Sequence, residues 1–277
     1  MKRMLMAVFA ISGMALAGDA EKVLKTPDLV AFWDFQEAAG EARMSKGGAT
    51  VFALQEKKGP VARVEGGVFG THAAEIAYGQ RFQIDRKDVG ALDIHGKDAQ
   101  VSVVAWVMRK DPRVWQAIAG VWDETRKKRQ YCLFLYAGTA TRADEMKRYA
   151  VKNRVHGHVS AVGGPTPGEE FCITYSSGAT EIPMARWQCI AMSYDGKASK
   201  VFVNGKLDSW EFRNPFPYEE GLFDGGPDGA DFTVGAVHRG GAWGNFFGGR
   251  IGGLAVFRRA LTDAEMLEMA GAADLGG

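Results

Sequence analysis

The chain has 277 residues, with 34 Lys and Arg against 33 Asp and Glu and a formal net charge of +1 at pH 7. This balance excludes a strongly basic nucleic-acid-binding protein and an acidic tail protein, so we expect no nucleic acid among its partners. A count of 36 glycines favours many turns over long helices.

The N-terminal segment is typical of a secretory signal. Two basic residues follow the first methionine, residues 4–16 are apolar but too few to span a bilayer, and Ala15-Leu16-Ala17 is a small-x-small cleavage site. We therefore predict a leader over residues 1–17 and a mature chain without a transmembrane segment. The expected location is secreted, periplasmic or at the cell surface, and a retained membrane anchor is the alternative.

The remainder of the chain is a succession of short segments with the apolar or alternating pattern of strands. In chain order they cover residues 29–35, 101–108, 117–122, 130–136, 154–162, 171–175, 187–194, 200–203, 206–207, 232–237 and 246–257. Asn204-Gly205 joins two of them and is the strongest two-residue hairpin signal. Many short strands without a dividing linker predict an all-β, antiparallel β-sandwich formed by a single domain over residues 18–277.

One short C-terminal helix is predicted. Thr262 and Glu265 have the spacing of a capping box, Met266 and Met269 supply an apolar face, and Gly271 suits the C-terminal end. Residues 142–152 are charged and form either a second helix or an exposed loop.

Three cysteines, Cys132, Cys172 and Cys189, leave at least one thiol unpaired, which argues against a disulfide framework. In an oxidising compartment Cys172–Cys189 is the first pair to test, and three buried small hydrophobic residues are the alternative.

Five segments in fixed order carry a family resemblance. They are Phe32-Trp33-Asp34-Phe35, Val101-Ser-Val-Val-Ala-Trp106, Trp187-Gln-Cys-Ile-Ala-Met-Ser-Tyr-Asp-Gly196, Val201-Phe-Val-Asn-Gly205 and the stretch 247–265. Together they resemble the bacterial laminin G-like (LamG) domains among the concanavalin A-like lectin and glucanase jelly rolls. The resemblance implies a β-sandwich jelly roll of two curved antiparallel sheets, one concave and one convex, with Trp106 and Trp187 in its core.

The resemblance also implies a function in recognition. The superfamily includes lectins, carbohydrate-binding modules, adhesion domains and some glycoside hydrolases. Its jelly-roll glucanases carry an E-x-D-x-x-E pattern on one strand, and no Glu of this chain has Asp two residues later. We therefore expect a non-catalytic carbohydrate-binding domain that uses the concave sheet or its rim loops. A glycoside-active enzyme with another carboxylate or histidine set, and a protein–protein adhesion module, are the alternatives.

His156 and His158 lie two residues apart on a predicted strand, so both rings would face the same side. With Trp122, Arg129 and Tyr131 on neighbouring strands, they would form a polar, aromatic face that binds sugar hydroxyls. A solvated histidine pair is the alternative.

Two loops supply further candidates. Arg239, Trp243 and Asn245 form a possible sugar-contact loop, although Trp243 would equally pack back on the core. Asp224, Asp228 and Asp231 lie in a glycine-rich acidic loop and are candidate ligands for Ca²⁺, which prefers hard oxygen ligands, but acidic residues also favour turns.

Overall fold

The computed structural model describes residues 18–136 and 153–275. The predicted leader and the charged segment 142–152 lie outside the described residues. Within the described part of the chain, no helix is long and apolar enough to cross a membrane.

Strands dominate the described residues, with one short helix at each end. The first half contains α1 (Ala20–Lys25), β1 (Leu29–Trp33), β2 (Arg43–Met44), β3 (Ala53–Lys57), β4 (Ala62–Glu65), β5 (His72–Ile76), β6 (Arg81–Ile84), β7 (Val101–Arg109), β8 (Trp115–Asp123) and β9 (Lys128–Tyr136). The second half contains β10 (Arg154–Val159), β11 (Tyr175–Ser177), β12 (Trp187–Tyr194), β13 (Ala198–Val203), β14 (Lys206–Leu207), β15 (Phe216–Pro217), β16 (Phe232–Val234), β17 (Val237–Arg239), β18 (Ala242–Gly244), β19 (Gly249–Phe257) and α2 (Asp263–Gly271).

The strands form two sheets, as the predicted sandwich requires. The nine-stranded sheet has the order β14-β13-β12-β7-β19-β5-β4, with β1 added at β19 and β15 at β13. The ten-stranded sheet has the order β11-β10-β9-β8-β16-β6-β3-β2, with the hairpin β17–β18 added at β8. Between the strands of residues 18–136 and 153–275, pairing is antiparallel except for one parallel bridge between β17 and β8. The predicted Asn204-Gly205 hairpin is present, with both residues at positive φ as its turn type demands.

Alternation along the strands separates the main core from the outer faces. On β7, Val103 and Val107 face the core between the sheets, whereas Val104 and Trp106 face outward. In the core Trp33 stacks on Phe232 with ring centroids 5.8 Å apart. Each fully buried side chain of this kind contributes about 1.5–3 kcal/mol.

The outer face of the nine-stranded sheet is covered by a second apolar layer. Trp106 meets Phe69 edge to face at 4.7 Å, and Trp187, Val23 of α1 and Met269 of α2 belong to the same cluster. The capping box of Thr262 and Glu265 is present at the start of α2. This layer leaves the outer face of the ten-stranded sheet as the place for a site.

Two features differ from the sequence-based expectations. Helix α1, strands β2–β6, β15 and β18, and most of β17 were not predicted, because these elements are short and carry little periodicity. All three cysteines are free: Cys189 lies in the layer under α2, whereas Cys132 and Cys172 lie on the outer side of the ten-stranded sheet. The Cys172–Cys189 pairing is therefore wrong for this fold.

Candidate functional site

A pocket of about 410 Å³ lies on the outer face of the ten-stranded sheet. Its floor comes from β8, β9, β10 and β11, and its walls come from the loop before β11 and the end of the β17–β18 hairpin. The lining residues are Trp115, Trp122, Glu124, Arg129, Phe134, Tyr136, His158, Glu169, Glu170, Phe171, Cys172, Ile173, Tyr175, Arg239 and Asn245. A volume of this size falls in the usual range for small-molecule sites.

The floor is an aromatic cluster centred on His158. Its ring stacks on Tyr175 with centroids 4.5 Å apart and lies 4.8 Å from Phe134. Trp115 and Trp122 each approach the same imidazole at 5.5 Å, edge to face. Four aromatic rings therefore hold one imidazole in a fixed orientation at the floor of the pocket.

His158 is the polar group of this floor. It is 5% exposed, and neither ring nitrogen hydrogen-bonds to any residue that the structure describes. Burial, with smaller contributions from His156, Arg213 and Arg129, holds the pKa of His158 well below its usual range. At neutral pH the ring is therefore uncharged, with one N–H donor and one lone pair available to a ligand.

The glycine between the two histidines is dictated by packing. A Cβ on Gly157 would lie 2.9 Å from both the Met192 Cβ and the Ser176 Oγ. Only glycine lets β10 approach the opposite sheet at this point, while His156 and His158 face outward. The fully buried His156 ring lies 5.2 Å from the ring of Tyr175, which lines the pocket.

Glu124 organises the polar side of the pocket. It accepts hydrogen bonds from the Trp122 indole at 3.3 Å and the Asn245 amide at 3.5 Å. Its second oxygen lies 3.9 Å from the Arg129 guanidinium and 3.8 Å from that of Arg239. Arg239 also donates to the Asn245 Oδ1 at 3.0 Å. One carboxylate thus positions an indole, an amide and two guanidiniums.

The loop before β11 supplies the remaining wall. Thr166 tightens it, because its hydroxyl accepts from the Ile173 amide and its amide donates to the Phe171 carbonyl. Phe171 is 55% exposed although it lines the pocket. Burial raises the pKa of the Cys172 thiol, so this cysteine is protonated and is no nucleophile at neutral pH.

The structure brings together five of the eight residues proposed for ligand binding. Trp122, Arg129, His158, Arg239 and Asn245 all line the pocket. His156 lies beside it, and the other two residues are placed elsewhere.

Tyr131 is a correction. Its ring is fully buried in the core between the sheets, and its hydroxyl donates to the Leu92 carbonyl at 2.7 Å. The cause is a bulge, because Trp122 pairs with Arg129 and Val121 with Tyr131, which leaves Gln130 as an extra residue. Residues 129 and 131 therefore face opposite sides of the sheet.

Trp243 is a second correction. It does not line the pocket. Its ring lies instead against residues of β6 and β17, with the Arg81 guanidinium 3.5 Å from the ring centroid and the His238 ring at 5.3 Å. Arg81 is 7% exposed, and burial lowers its pKa to about 10. Arg239 and Asn245 line the pocket, whereas the half-buried Trp243 contacts polar side chains and belongs to neither the pocket nor a hydrophobic core cluster.

The calcium ligand set is a third correction. Asp231 accepts from the Arg86 amide and the Gln83 side chain, Asp224 accepts from the Gly226 amide, and Asp228 is exposed. Their oxygens do not form a group with the spacing of metal ligands. Among the described residues that spacing occurs once, where Asp224 lies with Asp93 and His95 and without the other two predicted ligands.

Sequence reasoning missed most of the floor. Phe134 and Tyr136 lie in a predicted strand and share its outward alternation with Cys132, which is the signal that would have found them. Glu124, Glu169 and Glu170 occupy turns and loops, where no periodicity shows which way a side chain faces. The strand predicted over residues 171–175 is wrong for residues 171–174, since β11 begins at Tyr175.

Comparisons with known proteins agree with this architecture. A family model described as the Concanavalin A-like lectin/glucanases superfamily matches residues 98–266. A comparison with curated protein sequences finds no match.

Solved structures show the same fold at low identity. Domain 4 of AbnA, an extracellular GH43 arabinanase from Geobacillus stearothermophilus solved with arabinotriose, is 18% identical, with a TM-score of 0.55 over 88% of this chain and 98% of that domain. The CBM40 of a Ruminococcus gnavus IT-sialidase bound to α2,3-sialyllactose is 19% identical, with a TM-score of 0.51 over 74% of this chain and all of that one. Trypanosoma rangeli sialidase is 12% identical, with a TM-score of 0.53 over 89% of this chain and 33% of that enzyme.

Proposed function

Because the chain belongs to the Concanavalin A-like lectin/glucanases superfamily, we propose that it is a carbohydrate-binding protein that holds a neutral sugar in the pocket on the ten-stranded sheet. The observation that carries the proposal is the polar imidazole of His158, buried on an aromatic floor without a hydrogen-bonding partner among the described residues.

The chemistry of the lining suits a sugar. Pyranose and furanose rings present apolar C–H faces, which pack on aromatic rings such as Trp115 and Trp122. Their hydroxyls need both donors and acceptors, and the neutral His158 ring offers one of each. Arg239 and Asn245, already oriented by Glu124, add donors at the rim. Groups held in place before binding lose little conformational entropy on binding.

The charge of the pocket favours a neutral ligand. Among the described residues, the charged side chains that line the pocket are three carboxylates and two guanidiniums: Glu124, Glu169, Glu170, Arg129 and Arg239. Both guanidiniums face Glu124, so this carboxylate offsets about half of their combined charge. A sugar carboxylate would lie in a pocket that Glu124 and Glu170 already line, and like charges disfavour binding.

We propose binding without cleavage. Glu124 is held by four neighbouring polar groups, which suits a carboxylate that orients the rim better than one that must exchange protons with a substrate. Two of the similar folds, the arabinanase domain and the sialidase module, were solved with oligosaccharides bound. These likenesses support a sugar ligand, and we extend the proposal to an exported protein on the basis of the leader.

The test is a glycan array probed with the purified protein, repeated in Ca²⁺ and in EDTA. We expect binding to a related group of neutral glycans, with little binding to sialylated or uronic-acid glycans. Arg239→Ala removes a half-exposed rim donor and should lower affinity about tenfold or more, because hydrogen bonds to charged groups contribute about 1.5–3 kcal/mol.

Arg63→Ala is the matched control, since Arg63 is an equally exposed arginine on β4 of the other sheet. Binding that survives Arg239→Ala unchanged, or an array without reproducible binding, contradicts the proposed site. Release of reducing sugar from bound glycans, lost in Glu124→Gln, would establish the hydrolase alternative.

A further inference from the structure

A second group of side chains, which we call the Tyr78 platform, consists of Tyr78, Arg113, Val114 and Phe246, and its last two members adjoin pocket residues in the sequence. Tyr78 is 66% exposed, although its ring centroid lies 4.9 Å from that of Phe246 and 3.9 Å from the Arg113 guanidinium carbon. Val114, next to Arg113, is 52% exposed. Three apolar side chains therefore meet solvent around one guanidinium.

The turn that carries Tyr78 is rigidly held. Gln80 makes three hydrogen bonds in this turn. Its backbone N–H donates to the Ala77 carbonyl, its side-chain Oε1 accepts from the Ala77 backbone N–H, and its side-chain Nε2 donates to the Pro60 carbonyl at 2.7 Å. An exposed tyrosine on a mobile turn would lose much entropy on binding, whereas this one starts close to a single position.

Arg113 is equally fixed. Its amide donates to the Asp111 carboxylate at 2.9 Å, and its guanidinium pairs with the same carboxylate at 2.9 Å. The buried Gln116 side chain donates to the carbonyls of both Asp111 and Arg113. The platform is thus a built surface with a fixed cation.

Two platform residues, Val114 and Phe246, are direct neighbours of pocket residues in the chain. Asn245 lines the pocket and Phe246 is the next residue, while Trp115 on the pocket floor directly follows Val114. Consecutive Cα atoms are about 3.8 Å apart. The Asn245 carbonyl accepts from the Ala117 amide at 2.8 Å, which ties this chain segment to β8.

We propose that the Tyr78 platform is a second subsite, which takes a further unit of the same saccharide chain whose first unit occupies the pocket. The ligand is then a neutral oligosaccharide or polysaccharide, and a single sugar fills only part of the site. Tyr78 and Phe246 supply the apolar contact for a sugar ring, and Arg113 supplies donors for its hydroxyls. This inference rests on the function proposed for the pocket.

The experiment measures affinity against chain length by calorimetry. The probes are arabino-, xylo-, gluco-, galacto- and manno-oligosaccharides of one to six units, and the proteins are the wild type, Tyr78→Ala, Tyr78→Phe and Leu267→Ala. Leu267 is 55% exposed on α2, which packs on the other sheet, so its variant is the matched control for losing an exposed apolar side chain.

We expect wild-type affinity to rise from one to three units for the series that binds. Tyr78→Ala should lower the affinity for the trisaccharide about three- to tenfold and leave that for the monosaccharide unchanged, because only the longer ligand reaches the platform. Tyr78→Phe keeps the ring and should retain most of the affinity, and Leu267→Ala should behave as the wild type.

Two results overturn the inference while the pocket stands. One is a Tyr78→Ala variant with wild-type affinity at every length, which would return the platform to other roles such as contact with a protein. The other is an equal loss at every length. Failure of the wild type to bind any series overturns both the pocket and the platform, so the two failures are distinguishable.

Discussion

Replacing His158 with phenylalanine should stabilise the protein and weaken its binding of sugar. The imidazole buries one N–H and one lone pair without a partner among the described residues, and an unbonded buried polar group costs about 1–3 kcal/mol. Phenylalanine keeps the ring contacts with Tyr175 and Phe134 and places its extra atoms toward the pocket. We expect a free energy of unfolding higher by about 1–2 kcal/mol, or a Tm higher by about 2–8 °C.

The matched control is His156→Phe, two residues earlier on the same strand. His156 is fully buried, and its Nε2 lies 3.4 Å from the Ser177 hydroxyl. The substitution removes this bond and adds volume beside Trp115, so it should destabilise the protein by about 2 kcal/mol or more. Two neighbouring histidines are therefore expected to respond with opposite sign to the same change.

Urea unfolding followed by tryptophan fluorescence gives both free energies, and calorimetry with the glycan found on the array gives the affinity. We expect His158→Phe to lose at least tenfold in affinity for the glycan, although its free energy of unfolding is higher. A destabilised His158→Phe variant would show that the site has no room for the larger phenylalanine ring. A stabilised variant with wild-type affinity would show that the imidazole does not contact the ligand. A gain in stability with a loss of binding is the pattern of a residue retained for function.

Three further predictions concern the scaffold and the leader. Arg259 donates to Glu265 and, against the effect of burial, lowers the pKa of that carboxyl to about 2 from 4.5; this stabilisation is complete above pH 4.5 and is lost between pH 4.5 and 2. Glu265→Gln should therefore flatten the acid limb of a stability–pH curve by about 1 kcal/mol, after allowance for solvent screening. Tyr131→Phe leaves the buried Leu92 carbonyl without its hydrogen-bond donor. The variant should lose about 1–3 kcal/mol of stability in thermal melts, while its affinity for sugar stays unchanged. Expression in a secreting host should yield a protein whose mass corresponds to a start at Gly18, and an intact N-terminus would contradict the predicted cleavage.

The parts of the fold that could be predicted are those with local signals. Long apolar strands such as β7 and β12, the Asn204-Gly205 turn and the capping box of α2 each have a pattern visible within about ten residues. Strands β2–β6 span two to five residues each, and β3, β5 and β6 pair with strands that lie much further along the chain. Glu56 on β3 illustrates this, because it is a charged strand residue whose burial depends on an ion pair with Arg43 at 2.8 Å. No local sequence pattern predicts such a strand.

Residues of the candidate site could be predicted where side chains alternate regularly between the two faces of a strand. His156 and His158 share a face because β10 is regular, and the prediction for His158 follows directly from period two. The same rule applied to Arg129 and Tyr131 is wrong at one of the two, since the bulge at Gln130 shifts the register by one residue and turns every later side chain over.

That bulge has a recognisable cause in the fold. The Gln130 amide donates to the Asp93 carboxylate at 2.6 Å, and Asp93 also binds the Arg86 guanidinium. The extra residue on β9 thus fastens the sheet to a segment nearly forty positions earlier in the chain. The same shift places the Arg129 guanidinium within reach of Glu124 at the rim of the pocket. The bulge thus turns Arg129 toward the pocket and Tyr131 toward the core, and it coincides with a contact between residues distant in the sequence. No local sequence pattern predicts such a contact.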